Sequence, residues 1–248
     1  MTNRCNPALM IIRQAYSKLM RFVASRMSPG SELGLHLTAG VLTLVAAVSV
    51  FAEIAEAVGE GDDIARYDEH VSQWFYQHAF EPLTTVMFAI THLHGIPAMC
   101  VLSALLGWWF WHKRAPYWLL ATAISVPGGM LLNVLLKHVY QRARPAFDEP
   151  FVTLATYSFP SGHTAAATLF YGLLASYVIT TNPRWRMRCA ALVGAVCMVA
   201  LVALSRVYLG AHFVSDVLAA MVESLAWLAV CITSVSTLRR RRAARKDQ

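Results

Sequence analysis

Six apolar segments constrain this chain more than any other feature of its sequence. A helix needs about 20 apolar residues to cross a bilayer, and such segments cover roughly 34–57, 84–111, 117–137, 163–181, 189–206 and 214–238. Since 57% of the 248 residues are hydrophobic and only 14% are charged, the charged residues are too few to cover a soluble globule of this size. The sequence therefore predicts an all-α polytopic membrane protein, a bundle of six transmembrane helices in a single domain over 1–248.

The second apolar segment is longer than one span requires and carries the sequence "HLHGIP" at 92–97. Proline and glycine are common causes of sharp helix kinks. Gly95 and Pro97 therefore predict a break in this span, with its outer part as a separate short helix.

The distribution of lysine and arginine predicts the orientation of the bundle. Six spans place both termini on one side, and sixteen of the 21 lysine and arginine residues lie there, in the N-terminal tail, the loops at 113–114 and 184–188, and the C-terminal tail. Because positively charged loops are retained in the cytoplasm, we expect both termini to be cytoplasmic. Compact loops and the lack of any Asn-x-Ser/Thr sequon favour a bacterial inner membrane, with the opposite face of the bundle in the periplasm.

Three segments outside the spans have predicted roles of their own. Residues 1–30 form a basic amphipathic segment expected on the membrane surface, and the basic tail over 239–248 is expected to contact anionic lipid rather than nucleic acid. Residues 58–82 form an outer loop with an interfacial helix, which either lies beside a groove that admits a lipid or simply caps the bundle. The apolar face of that helix consists of Ile64, Tyr67, Val71, Trp74 and Phe75, with Asp62, Asp63, Asp68 and Glu69 elsewhere.

Polar residues of three separate segments are predicted to meet at one depth on the outer face. The segments are "KHVYQRARP" at 137–145, "SFPSGH" at 158–163 and "SRVYLGAHFVSD" at 205–216. The snorkelling of a long basic side chain explains a single cation at a helix end. It does not explain several cations together with two histidines and an aspartate, so we expect a functional site here.

The cations of this set predict a site for a phosphoryl group. Arg144 and Arg206 can each form paired charge-assisted hydrogen bonds with phosphate oxygens, and Lys137 adds a compact positive charge. Ser161 and Gly162 begin the fourth span, where free backbone N–H groups and the helix dipole favour an anion and where glycine permits close approach of the backbone. These five residues are the predicted phosphate-binding residues.

Two histidines and an aspartate supply the predicted chemistry. If this segment is helical, His212 and Asp216 lie one turn apart, and the carboxylate can accept a hydrogen bond from one ring nitrogen and leave the other free as a nucleophile. His163, beside the bound anion, is placed to protonate the leaving oxygen and then to act as base toward water. Because no carboxylate cluster with metal-ligand spacing occurs on this face, we expect a metal-independent reaction through a phosphohistidine, with no cofactor.

The three motifs resemble the signature of the type 2 phosphatidic acid phosphatase family. Lys-x6-Arg-Pro begins at Lys137, Pro-Ser-Gly-His covers 160–163 and Ser-Arg-x5-His-x3-Asp covers 205–216, all complete and in the family's order. The resemblance implies a membrane phosphatase acting on lipid phosphates, in which these residues have the roles argued above. Soluble acid phosphatases and vanadium haloperoxidases share the signature, and six spans argue against both.

The motifs contact only the phosphate, so the identity of the lipid stays open. The layout is similar to bacterial inner-membrane members that act from the periplasmic side on undecaprenyl diphosphate, phosphatidylglycerophosphate or phosphatidate, and we expect the first ahead of the other two. Transfer of the phosphate to another lipid and a non-catalytic carrier of phosphorylated lipids are the alternatives. Besides the lipid substrate and the bilayer, no partner is predicted.

Four further polar residues have two interpretations each. Glu223 and Asn133 could serve the site, Asn133 by orienting Lys137, or could simply form hydrogen bonds between helices. His92 and His94 flank the predicted break, and the sequence assigns neither to the site.

Overall fold

A computed structural model describes residues 14, 16–18, 20, 35–61 and 63–246 of the chain. Regular secondary structure in these residues is helical, as the apolar pattern predicts. The predicted amphipathic segment over 1–30 lies almost entirely outside the described residues. The helices that build the bundle are α1 (Leu35–Glu60), α2 (Asp63–Gln77), α3 (Leu83–Leu93), α4 (Ile96–His112), α5 (Pro116–Tyr140), α6 (Gly162–Thr181), α7 (Trp185–Tyr208) and α8 (Val214–Lys246).

Among the described residues, five helices are long and apolar enough to cross a membrane, and a bent pair completes six spans. The five are α1, α5, α6, α7 and α8, and the pair is α3 with α4, which meet at an angle of 51°. The bend lies at Gly95, whose extended backbone (φ −69°, ψ 165°) directly precedes α4. Pro97 lies in the first turn of α4, where the missing N–H of proline costs no helical hydrogen bond. The predicted break of this span is therefore confirmed.

Helix α6 forms the centre of the bundle, packed against α5, α7 and α8. Its buried residues from Ala165 to Thr168 are small, so the neighbouring helices can approach closely. The approach is very close at Gly129 of α5, where an added Cβ would lie 2.6 Å from a methyl carbon of Leu169. Helix α1 instead exposes apolar side chains such as Leu42, as expected of a surface that faces lipid.

Four helix ends meet at one end of the bundle and carry the three motifs there. Helix α5 ends at Tyr140 and α6 begins at Gly162, while α7 ends at Tyr208 and α8 begins at Val214. The chain passes from α7 to α8 in five residues, so the end of one helix and the start of the other must remain adjacent. This geometry explains how motifs far apart in sequence reach one depth.

Helix α2 is the predicted helix of the 58–82 loop, but its buried face differs from the expected one. Val71 and Phe75 pack against the ends of α7 and α8, whereas Tyr67 and Trp74 of the predicted apolar face are exposed. Asp68, expected off the apolar face, is only 1% exposed. Helix α2 thus packs on the bundle and directs a carboxylate toward the motif residues.

Candidate active site

His212 lies in the short connection between α7 and α8, with only 2% of its surface exposed. Its Nε2 lies 3.2 Å from Nη1 of Arg144. A guanidinium only donates hydrogen bonds, so Nε2 is the acceptor and the ring proton lies on Nδ1. Burial lowers the pKa of His212 to about 3, against the opposing effect of Asp216. The imidazole is therefore neutral near physiological pH, and the predicted nucleophile has an unprotonated Nε2.

Asp216 lies in the first turn of α8 and accepts hydrogen bonds on both carboxylate oxygens. Oδ2 accepts from Oγ of Ser158 (2.5 Å) and from the backbone N–H of Phe213 (2.9 Å), and it lies 3.4 Å from Nδ1 of His212. Oδ1 accepts from Nη1 of Arg142 (2.7 Å). The structure thus brings the predicted pair together and adds Ser158 and Arg142 as partners of the carboxylate.

Arg142 connects Asp216 to the outer helix α2. Its Nη1 also donates to Oγ of Ser215 (2.7 Å), and its Nη2 donates to Oδ2 of Asp68 (2.8 Å). Asp68 in turn accepts from the backbone N–H of Ser215 (3.0 Å) and from its hydroxyl. Arg142 lies within the predicted outer segment 137–145, but the sequence assigns it no role, because it occupies no motif position. Its partner Asp68 is 74 residues away, and only the presence of another cation beside the motif hinted at the contact.

Arg206 lies in the last turn of α7 and is 1% exposed. Its Nη1 donates to Oγ1 of Thr91 on α3 at 2.6 Å. Its Nε and Nη2 are buried and have no acceptor among the described residues. Buried charged donors without an acceptor are costly, and this edge of a guanidinium matches two oxygens of a phosphate. Arg206 is therefore the cation of the site best prepared to bind an anion.

Arg144 and Lys137 both bind the loop that connects α5 to α6. Arg144 donates from Nε to the carbonyl oxygen of Thr156 (2.7 Å) and from Nη2 to that of Tyr157 (3.1 Å). Lys137 donates from Nζ to the carbonyl oxygens of Tyr157 (2.7 Å) and Ser158 (3.2 Å). Burial lowers the pKa of the Arg144 guanidinium below its ordinary value, yet arginine stays charged in proteins. Both predicted phosphate ligands thus lie at the site and also hold its surrounding loop.

Ser161 and Gly162 lie at the start of α6, as predicted, with one difference at the serine. The backbone N–H of Ser161 donates to the carbonyl oxygen of Asp216 (3.0 Å), so this N–H is not free for an anion. A Cβ added to Gly162 would meet Oδ1 of Asn133 at 3.5 Å, an ordinary contact. Packing within the protein therefore does not require a glycine here, and close approach of a ligand remains the reason to expect one.

His163 follows in the first turn of α6 and is partly buried. Its ring lies within electrostatic range of His212, Arg206 and Arg144. A Cβ added to Gly95, at the break between α3 and α4, would lie 3.9 Å from Nε2 of His163. The predicted site residues thus gather at one end of the bundle: Lys137, Arg144, Ser161, Gly162, His163, Arg206, His212 and Asp216.

The other polar residues singled out in the sequence have protein partners of their own or lie at the surface. Nδ2 of Asn133 donates to Oε2 of Glu223 (3.1 Å), which joins α5 to α8 as in the helix-to-helix interpretation. Nε2 of His94 lies 2.9 Å from the hydroxyl of Tyr171. His92 is exposed. None of these contacts involves a predicted catalytic residue.

A cleft of about 550 Å³ lies beside the site, between α2 and the chain that follows Arg144. Arg144 and Phe213 line it on the side of the motifs, and Arg66, Glu69 and His70 line it on the side of α2. Because charged side chains of both signs line the cleft, it suits a polar headgroup better than an acyl chain.

The arrangement combines an unprotonated imidazole nitrogen, a buried guanidinium edge and a second histidine in one polar site. Within the described part of the chain, no group of three histidine, cysteine, aspartate or glutamate side chains is placed to hold a metal ion. Such a site can attack phosphorus through Nε2 of His212 while the cations bind the remaining phosphoryl oxygens.

Known proteins share both the motifs and the fold. The PAP2 superfamily model matches residues 115–240, which contain every predicted site residue. Phosphatidylglycerophosphatase B of Bacillus subtilis (strain 168) is 34% identical over 139 residues, which cover 55% of this chain and 67% of that protein. The crystal structure of a transmembrane PAP2 type phosphatidylglycerolphosphate phosphatase from Bacillus subtilis matches with a TM-score of 0.65 at 28% identity, over 77% of this chain and 94% of the other. The chain therefore belongs to the PAP2 superfamily and is a phosphatase that hydrolyses lipid phosphates.

Proposed function

We propose that the chain removes the terminal phosphate of a membrane lipid through a phosphohistidine at Nε2 of His212, without a metal ion. One observation carries this proposal: Nε2 accepts a hydrogen bond from Arg144, and His212 also lies within electrostatic range of Arg206, whose buried Nε and Nη2 have no acceptor in the described part of the chain. A carrier of phosphorylated lipids would need the cations but not an unprotonated nitrogen among them. The site is therefore better suited to cleavage than to binding alone.

In the first step, the cations bind the phosphoryl oxygens and Nε2 of His212 attacks phosphorus opposite the leaving oxygen. The phosphorus–nitrogen bond forms as the bond from phosphorus to the leaving oxygen breaks, and His163 donates its proton to that oxygen. The imidazole of His212 becomes positively charged, and the carboxylate of Asp216 stabilises it through the Nδ1–H.

In the second step, water attacks phosphorus and the phosphorus–nitrogen bond breaks. His163, now neutral, accepts a proton from the water. Inorganic phosphate leaves, and His212 returns to its neutral form with the proton on Nδ1. Interception of the phosphohistidine by another lipid's hydroxyl instead of water would give phosphate transfer, the alternative that shares this first step.

The positions of the motifs favour a lipid substrate and an outward-facing site. Because the site residues lie at helix ends, a lipid phosphate can reach His212 while its chains remain in the bilayer. The excess of lysine and arginine on the opposite side of the bundle supports a periplasmic site in a bacterial inner membrane.

Phosphatidylglycerophosphate is the favoured substrate, ahead of undecaprenyl diphosphate. The similar protein and the similar crystal structure, both from Bacillus subtilis, carry names that specify a phosphatase of the former lipid. The cleft beside Arg144 gives a separate chemical reason to place phosphatidate last, because Arg66 and His70 on its far side suit a second phosphate group. Phosphatidylglycerophosphate and undecaprenyl diphosphate each carry two phosphate groups, whereas phosphatidate carries one.

The test is phosphate release by the purified protein in detergent with excess EDTA, from phosphatidylglycerophosphate, undecaprenyl diphosphate and phosphatidate in parallel. We expect release to survive EDTA, to be slowest with phosphatidate, and to fall by about three orders of magnitude or more in His212→Ala. The matched control is His92→Ala, at an exposed histidine of α3, which should leave release unchanged. Release that persists in His212→Ala would contradict the mechanism, and the fastest release from phosphatidate would contradict the headgroup argument.

A further inference from the structure

A second buried carboxylate is linked to Asp216 through one guanidinium. Nη1 of Arg142 lies 2.7 Å from Oδ1 of Asp216, and Nη2 lies 2.8 Å from Oδ2 of Asp68. The side chains of Asp216 and Asp68 are 0% and 1% exposed, and that of Arg142 is 14% exposed. Asp68 belongs to α2, outside the residues 115–240 that match the family model. The three charges thus form one buried chain that begins outside the matched region.

The charge balance of this chain bears on the reaction. Arg142 paired with Asp216 alone would largely cancel the negative charge that His212 needs when its imidazole becomes positive. Because Asp68 shares the same guanidinium, the three side chains together carry one net negative charge. Electrostatic interactions are strong in a buried site, so this remaining negative charge is felt at His212.

The geometry of Asp216 depends on the same contacts. Its Oδ1 is held by Arg142, which leaves Oδ2 to face Nδ1 of His212 at 3.4 Å. Arg142 is held in turn by Asp68, and Asp68 is fixed by the backbone N–H of Ser215 at 3.0 Å. Loss of Asp68 would therefore leave Arg142 hydrogen-bonded through Nη1 alone and would weaken the constraint on Oδ1 of Asp216.

Packing of α2 is a separate matter from this charge chain. Val71 and Phe75 bury apolar surface against α7 and α8, one to two turns from Asp68. Packing of the helix and the charge of its aspartate can therefore be changed independently by substitution.

We propose that Asp68 and Arg142 are positioning residues that keep the carboxylate of Asp216 oriented and negatively charged for His212. Helix α2 thereby completes the active site from outside the family-matched region. This inference rests on the proposed function, since it assumes that His212 is the nucleophile.

The first test compares kcat and KM for phosphate release from phosphatidylglycerophosphate by Asp68→Asn and Val71→Ala. Asparagine keeps the shape of the side chain and removes its charge. We expect Asp68→Asn to lower kcat about 10- to 100-fold with KM within about twofold of wild type, because the effect is felt when charge develops on His212. Val71→Ala should lower the melting temperature and leave kcat within about twofold. An unchanged kcat in Asp68→Asn, or an equal loss in Val71→Ala, overturns the proposal.

The second test is a double-mutant cycle with Arg142→Gln. The single substitution leaves two buried carboxylates without their shared cation, and it should also lower kcat. The double variant with Asp68→Asn restores one net negative charge, so its loss of kcat should be at least about fivefold smaller than the product of the two single losses. A loss equal to that product would mean that the residues act independently, and would contradict the charge argument.

The variant His212→Ala separates this inference from the proposed function. If His212→Ala is inactive and Asp68→Asn has the kcat of wild type, only this inference is refuted. If His212→Ala is active, the proposed function itself is refuted.

Should Asp68→Asn not fold, Arg142→Lys carries the same test, because one ammonium group cannot reproduce the two-sided contact of a guanidinium. Its kcat should fall about tenfold with KM nearly unchanged, and a wild-type kcat would overturn the proposal.

Discussion

Thr91 should control how well Arg206 binds phosphate, although it belongs to no motif. Its Oγ1 accepts a hydrogen bond of 2.6 Å from Nη1 of Arg206, and both residues are buried, at 6% and 1% exposure. Thr91→Val keeps the shape of the side chain and removes the acceptor. A hydrogen bond to a charged group contributes about 1.5–3 kcal/mol. If the lost orientation of the guanidinium carries that full energy into phosphate binding, kcat/KM should fall about 10- to 150-fold.

The assay measures kcat/KM for phosphatidylglycerophosphate and, independently, inhibition by orthovanadate, an anion that resembles phosphate. Both should weaken by similar factors in Thr91→Val, because Arg206 is the proposed ligand of the anion in each case. Thr85→Val is the matched control, since Thr85 lies on the same helix and is exposed. Values of kcat/KM and orthovanadate affinity within about twofold of wild type would refute the account of Arg206, given the usual size of such a bond.

Three further results are expected. The pKa of folded His212 is about 3, below its unfolded value of about 6.5. Between these two pH values the imidazole is therefore protonated in the unfolded chain and neutral in the folded one. Wild type should therefore lose thermal stability as the pH falls through that window, and His212→Gln should lose less. Alkaline phosphatase fused after Gln248 should be inactive and a green fluorescent protein fused there should fluoresce, whereas the reverse result would contradict cytoplasmic termini. Gly210→Ala should lower the melting temperature, because Gly210 has φ +64° and an added Cβ would lie 2.5 Å from Phe147; the positive φ alone costs about 1–2 kcal/mol, and an unchanged melting temperature would count against this strain.

The spans and the motif residues could be predicted because each depends on a local pattern. Apolar length marks a membrane helix. The spacing of His212 and Asp216 indicates their proximity, although His212 lies in the connection just before α8 and only Asp216 lies in the helix. The break at Gly95 was likewise readable from glycine and proline within an apolar run. Such patterns determine the position of a residue along its own helix. That information is sufficient to predict that the motif residues lie at one end of the bundle.

The partners of the motif residues could not be predicted, because they depend on how distant helices pack. Asp68 appears on the polar side of an amphipathic pattern, yet it is buried because α2 packs on the bundle through a different face. Thr91 is one of three threonines in α3, and nothing in the sequence separates it from the other two. The N–H of Ser161 is occupied by the carbonyl oxygen of Asp216, a contact set by the placement of α8. Sequence spacing carries no information on these contacts.

The most direct test of the central claim is to trap the phosphoenzyme. The purified protein is mixed for milliseconds with phosphatidylglycerophosphate labelled on its terminal phosphate and quenched in alkali, which preserves phosphohistidine, and the labelled peptide is identified. We predict label on the peptide that contains His212 in wild type and none in His212→Gln, with the label released as inorganic phosphate when the quench is delayed. Label on another residue, or phosphate release at the wild-type rate without any labelled protein, would contradict the mechanism.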